Sequence, residues 1–264
     1  MCCFGAVDTT KLTRDELLEA IQTRVYADRQ LSILDANDEQ KMIHIFAESF
    51  LNDPLMKWIG GLGDHSGDEN KKDLQYKLNK SMMTWVNRPI LVNKKGVVVG
   101  VTASDGTLAG AVSVMPGQSN TDTCLDIING IIHAGAPPVS GGPTKNSYAP
   151  GGDKRLDSLD VLGKKRKELM KNEDLNYMYI QTIGVMQSYQ GQGLGGKLLK
   201  AILNVADSLN IPAYLETESK ENEALYQHFG FTTLEVVQVG PSGSSTDNKQ
   251  PMYLMARYIG RRSS

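Results

Sequence analysis

Apolar positions recur at helical spacing in the first third of the chain and mainly at strand spacing afterwards. "TRDELLEAIQTRVYADRQ" opens with Thr13 and Glu16 in a capping-box relation, and Leu17, Leu18, Ile21 and Val25 then share one helical face. "LSIL" predicts a short strand ending at Asp35. A helix through "EQKMIHIFAESFLND" comes next, with a stripe of Ile43, Phe46, Ala47 and Phe50, and Pro54 lies after its end. "DLQYKLNKSMMTWV" predicts a further helix whose stripe, Leu74, Leu78, Met82 and Trp85, reads as core. "KKGVVVGVTASDGTLAGAVSVMPG" holds two β-branched runs about Asp105-Gly106, an antiparallel hairpin.

Four of the ten prolines fall between 137 and 150, which predicts an irregular insert over about 135–153. Such a loop in a compact domain is either a substrate-covering element or a mobile insert. "LDSLDVLGKKRKELMKNE" predicts a helix carrying Lys164-Lys165-Arg166-Lys167, read as a solvated face with a nuclear signal or acidic partner as the alternative. The rest runs strand "NYMYIQTIGVM", Gly-rich loop, helix "GKLLKAILNVADSLN", strand "PAYLETE", helix "NEALYQHFG", and two closing strands. This order predicts an α/β protein built on one mixed sheet. A helical extension over 1–30 precedes a single domain over 31–260.

Composition adds mainly exclusions. The chain has 264 residues, 40% hydrophobic and 22% charged, enough for a real core. A net charge of −2 with intermixed signs gives no basic field for nucleic acid. No apolar run reaches membrane-spanning length, and "MCCFGAVDTTKLTRDE" lacks the basic-then-apolar order of a secretory signal. Three cysteines, Cys2, Cys3 and the distant Cys124, outline neither a disulfide framework nor a metal site. A cytoplasmic location is expected. Cys2 and Cys3 read as free thiols or as acylation sites, and N-myristoylation is excluded because position 2 is not Gly.

The most informative stretch is "YQGQGLGGKLLKAIL", residues 189–203, which fits three phosphate-cradle patterns at once. As a P-loop it fails at the last letter, since Leu198 follows Lys197 where a hydroxyl must hold Mg²⁺. As a dinucleotide fingerprint, Gly191, Gly193 and Gly196 are spaced correctly and Glu216 stands 20 residues on. That fold, however, starts its glycines directly after a strand and needs further βα units, and neither condition is met here. The remaining pattern, Q-x-x-G-x-G from Gln190 through Gly193 to Gly195, sits between a strand and a helix N-terminus. Glycines there let backbone N–H groups converge on a diphosphate, with the helix dipole adding favourable field.

That motif resembles the acetyl-coenzyme A signature of the GCN5-related N-acetyltransferase superfamily. "YLETESKENEALYQHFGF" is similar to the L-E-T and N-x-x-x-Y stretch of its puromycin-type small-molecule members. "FLNDPLMKW" resembles their F-x-x-D-P-x-x-x-W entry segment. The resemblance implies a twisted, mostly antiparallel sheet of six to seven strands flanked by helices. It also implies direct acetyl transfer from acetyl-CoA to an amine in a ternary complex, without a metal or an acyl-cysteine.

On this resemblance Gln190, Gly191, Gln192, Gly193, Leu194, Gly195 and Gly196 would cradle the diphosphate, and Ile183, Gly184 and Val185 would pair with pantetheine. The Val185 N–H would polarise the thioester carbonyl. Asn222 and Tyr226 lie four apart on one helical face beside the cofactor, and the Tyr226 phenol is the expected general acid. Glu216, placed by strand alternation on one face with Glu218, is expected either to take the amine's proton or to bind its ammonium. The acceptor is expected to be a small primary amine. A protein or peptide amine is the alternative, and a non-catalytic acetyl-CoA sensor a more remote one.

Overall fold

The structure, a computed structural model, describes residues 11–61, 67–119, 151–173, 176–243 and 248–259. The Pro/Gly-rich insert lies outside these residues up to position 150, as do all three cysteines. Among the described residues seven strands form one sheet in the order β1-β2-β3-β4-β5-β7-β6. They are β1 (Leu31–Leu34), β2 (Val97–Thr102), β3 (Leu108–Pro116), β4 (Met178–Val185), β5 (Ala213–Thr217), β6 (Thr232–Val239) and β7 (Gln250–Arg257). Of these strand pairs, β4 and β5 alone run parallel. The helices are α1 (Arg14–Val25), α2 (Glu39–Ser49), α3 (Pro54–Gly60), α4 (Glu69–Leu91), α5 (Gly152–Asp157), α6 (Asp160–Leu169), α7 (Leu194–Leu209) and α8 (Lys220–His228). None among the described residues is long and apolar enough to cross a membrane.

The capping box at Thr13 and Glu16 forms, and α1 buries Leu17, Ile21 and Val25 in the common core while packing on α7. The expected helix over 39–53 instead stops at Ser49. Proline at 54 disfavours helical backbone for Asp53, which takes φ −62° and ψ 128°. Pro54 then starts α3 at its first position, where a missing N–H costs nothing, and Asp53 Oδ1 caps the new helix through the Met56 N–H at 2.8 Å. One proline thus turns an apparent helix end into a corner that carries a carboxylate. The expected helix over 156–173 likewise divides, into α5, α6 and a short 3₁₀ turn.

Two irregularities in β4 prepare the site. Its register with β3 shifts between Ser113, paired with Thr182, and Val114, paired with Ile180, so Gln181 is an extra residue. Such a bulge bends a strand and re-aims the residues beyond it. Pairing between β4 and β5 is then confined to Met178 with Ala213 and Tyr179 with Tyr214. Past those residues the two strands part, and β5 stays with β7 through Thr217. The result is a wedge in the middle of the sheet.

Candidate active site

The wedge presents unused backbone. The Met186 N–H donates to Ala109 O on β3, so by strand alternation the N–H groups of Ile183 and Val185 point away from β3, into the gap. Gly184 lies against α2. A Cβ there would stand 2.2 Å from Ser49 Oγ, so only glycine lets α2 close on this strand. Past β4, the Gln190 amide donates to Val185 O at 3.1 Å and pins the adjoining loop to the strand end. Gly193 is the N-cap of α7 with φ 76°, and no side chain caps that helix. The first-turn N–H groups of α7 are therefore available to an anion.

These parts line one cavity of roughly 500 Å³. On the cofactor side its wall comprises Ile183, Gly184, Val185, Gln190, Gly195 and Gly196. Gly191, Gln192, Gly193 and Leu194 are not in that wall: the first three are exposed, and Leu194 buries its side chain in the core. Across the cavity stand Asn222, Leu225, Tyr226 and Phe229 of α8 and its end, with Ser49, Phe50 and Asp53 from the α2–α3 corner. Asn222 and Tyr226 do share the inward face of α8, whereas His228 packs edge-on to Phe229 and is not in the wall.

Two carboxyl groups face this space, Asp53 and Glu218. Glu218 is 8% exposed and accepts from Asn222 Nδ2 at 2.8 Å. Burial, then the Glu218 charge, hold the Asp53 carboxyl well above the usual carboxylate range. Burial first and the charges of Glu218 and Asp53 next raise the Tyr226 phenol above its ordinary value. The described wall contains no lysine, arginine or histidine.

Glu216 does not line the cavity. Its carboxylate accepts from Tyr179 Oη at 2.7 Å and Tyr214 Oη at 3.1 Å, with Arg166 Nη1 3.6 Å away. The Arg166 guanidinium itself stacks 4.1 Å above the Tyr179 ring. The expected sharing of a face by Glu216 and Glu218 fails because β5 ends at Thr217, and the bend at Glu218 releases it from strand alternation. Arg166 also corrects the reading of its basic run: this one of the four side chains is turned inward and anchors α6 to the sheet.

Comparison with known proteins points the same way. Residues 161–231 match the sequence model of the Acetyltransferase (GNAT) family. Over that segment the chain is similar to GNAT-family acetyltransferases. An uncharacterized N-acetyltransferase of Schizosaccharomyces pombe is 23% identical over 224 residues, 85% of this chain and 81% of that protein. Among solved structures, arylalkylamine N-acetyltransferase 2 of Aedes aegypti superposes with a TM-score of 0.55 at 14% identity, over 87% of this chain and 98% of that one. The C-terminal condensation domain of Ebony, in complex with beta-alanyl-dopamine, gives 0.55 at 12% identity, with the same coverage. Both likenesses concern the fold.

GNAT enzymes use acetyl-CoA as co-substrate, and the residues present suit it. A Cβ built on Gly191 or Gly193 meets nothing within 4 Å, the helix end is uncapped, and β4 offers a free edge. Replacing Gly193 by valine is expected to weaken CoA binding about 10–100-fold through backbone strain at positive φ. Calorimetric titration with CoA measures this, and neither NADH nor ATP should bind either protein. Tight NADH binding would contradict the cradle. The sequence pattern assigned a part to neither Asp53 nor Glu218. The signal it did carry was the D-P dipeptide, which places a helix-capping carboxylate at a corner.

Proposed function

We propose that this GNAT domain transfers an acetyl group to the primary amine of a small, positively charged molecule. The observation that carries this reading is the cavity itself: a free strand edge and an open helix N-terminus face two carboxyl groups and a phenol, with no cationic side chain in the described wall. Acetyl-CoA supplies the acetyl group as a thioester. Gln190 to Gly196 would hold its diphosphate, and the N–H groups of Ile183 and Val185 would bond the pantetheine arm as an added strand edge does. The Val185 N–H stabilises developing negative charge on the carbonyl oxygen. The Asp53–Glu218 pair receives the acceptor's ammonium and takes a proton from it, leaving the neutral amine that attack requires. Tyr226 donates its hydroxyl proton to the departing sulfur.

The size of the cavity favours a small acceptor over a peptide, since roughly 500 Å³ must hold the acyl arm as well. Purified protein, acetyl-CoA and a panel of amines, read as thiol release, tests the proposal. Turnover is expected with compact cationic amines and not with their carboxylated counterparts. Turnover confined to lysine peptides would overturn the acceptor assignment, and CoA binding without any turnover would leave a sensor.

A further inference from the structure

Helix α4 was expected to bury an apolar stripe, and Leu78 and Met82 are buried, but so are Gln75, Asn79 and Asn87, each 0% exposed. With Met83 these three form one i, i+4 row along the helix, the ridge by which helices pack. Gln75 Nε2 donates to Met56 O at 3.2 Å and to Asn79 Oδ1 at 2.8 Å. Asn79 Nδ2 donates to Ala47 O at 3.0 Å. Met56 and Ala47 lie on the two arms of the corner that bears Asp53, and the Met56 N–H is the group Asp53 Oδ1 caps. At the far end Asn87 Oδ1 accepts from Ser113 Oγ at 2.7 Å, and that hydroxyl lies 3.5 Å from Thr182 O. Thr182 directly precedes the Ile183–Val185 edge.

We propose that this polar row of α4 is a spine that sets the distance between the Asp53 carboxyl and strand β4, with Gln75 and Asn79 as positioning residues for acetyl transfer. Leucines would pack the same ridge at no polar cost. The amides are instead kept although Gln75 Oε1 is buried with no hydrogen-bond partner among the described residues, which costs stability. Their bonds go to main-chain carbonyls near helix ends, which apolar packing cannot register. Geometry at the reacting groups has to be held within about 0.5 Å, and side-chain hydrogen bonds at both ends of one helix provide that where a hydrophobic contact can slide.

The inference rests on the acetyl-transfer reading of the cavity, so its test includes a measurement that needs no substrate. Gln75→Met and Asn79→Leu keep volume and remove the bonds, while Thr84→Val alters a buried α4 hydroxyl that bonds only Lys80 O and serves as control. Asp53 faces Glu218 and Tyr226, and nothing in either variant touches those two groups. For both spine variants, kcat/KM for the amine is expected to fall at least tenfold with CoA affinity unchanged. The carbon-13 carboxyl titration of Asp53 should move toward the ordinary aspartate value, and the control should match wild type in all three. Variants that keep the Asp53 titration and kcat/KM of wild type would overturn the spine, as would an equal loss in the control. If wild type turns over no amine, only the acetyl-transfer reading falls, and the carboxyl titration still decides the spine.

Discussion

Asp53→Asn and Glu218→Gln are each expected to lower kcat/KM for the amine by about 10²–10⁴, the loss typical of a removed proton-transfer group, with CoA affinity nearly unchanged. Both substitutions keep shape and hydrogen-bonding capacity, so the loss reports charge and basicity. Glu218→Gln removes the negative charge that holds an ammonium, and Asp53→Asn removes the ionisable partner beside it. Stability should move the other way. Folding raises the Asp53 pKa well above the ordinary aspartate value, so the folded state binds that proton more tightly than the unfolded one. The stability this gives is fully present below the unfolded pKa and is lost as pH rises through the folded pKa. Asn cannot ionise, so the melting temperature of Asp53→Asn minus that of wild type should grow from about pH 4 upward and then level off, as measured by thermal scans of the apo protein. A variant both less active and less stable at pH 8 would contradict this account. Glu216→Gln provides the contrast. It should cost stability by leaving the inward Arg166 without its counter-charge, while sparing the amine KM.

Tyr226→Phe should lower kcat by a similar factor of roughly 10²–10⁴ at saturating substrates. Its CoA affinity should stay near wild type, because the ring keeps its edge-on packing against Phe231. The electrostatics add a signature. The phenol is held protonated by burial and by the charges of Glu218 and Asp53. An ammonium bound between those carboxyls cancels part of that field, so the phenol becomes a better acid when the acceptor is in place. In wild type the alkaline limb of the kcat profile should therefore lie at lower pH than Tyr226 titrates in the free enzyme. In Tyr226→Phe that limb should disappear. Unchanged kcat in this variant would return Tyr226 to a packing role.

Much of the fold was legible because it depends on local order. Capping at Thr13, the Asp105-Gly106 hairpin, the helix after the glycines and the succession of strands each derive from residues a few positions apart. The glycine-rich loop was legible for the same reason: Gln190 to Gly196 are contiguous and lead into the uncapped N-terminus of α7. Three features were decided only by tertiary structure. The wedge exists because β4 carries an extra residue at Gln181 and β5 commits its hydrogen bonds to β7, an outcome of pairing across the sheet. The acidic pair joins Asp53 and Glu218, which are remote in sequence, through a proline corner and a strand end that periodicity marks only as breaks. The polar row of α4 hides among apolar neighbours, since a buried amide and an exposed one are the same letter. Sequence determined where a glycine-rich loop meets an uncapped helix N-terminus. Tertiary structure decided which of two nearby glutamates faces the cavity, because a carboxylate's role is fixed by its surroundings: Arg166 and two tyrosines claim Glu216, whereas Glu218, bonded by Asn222, lines the cavity beside Asp53.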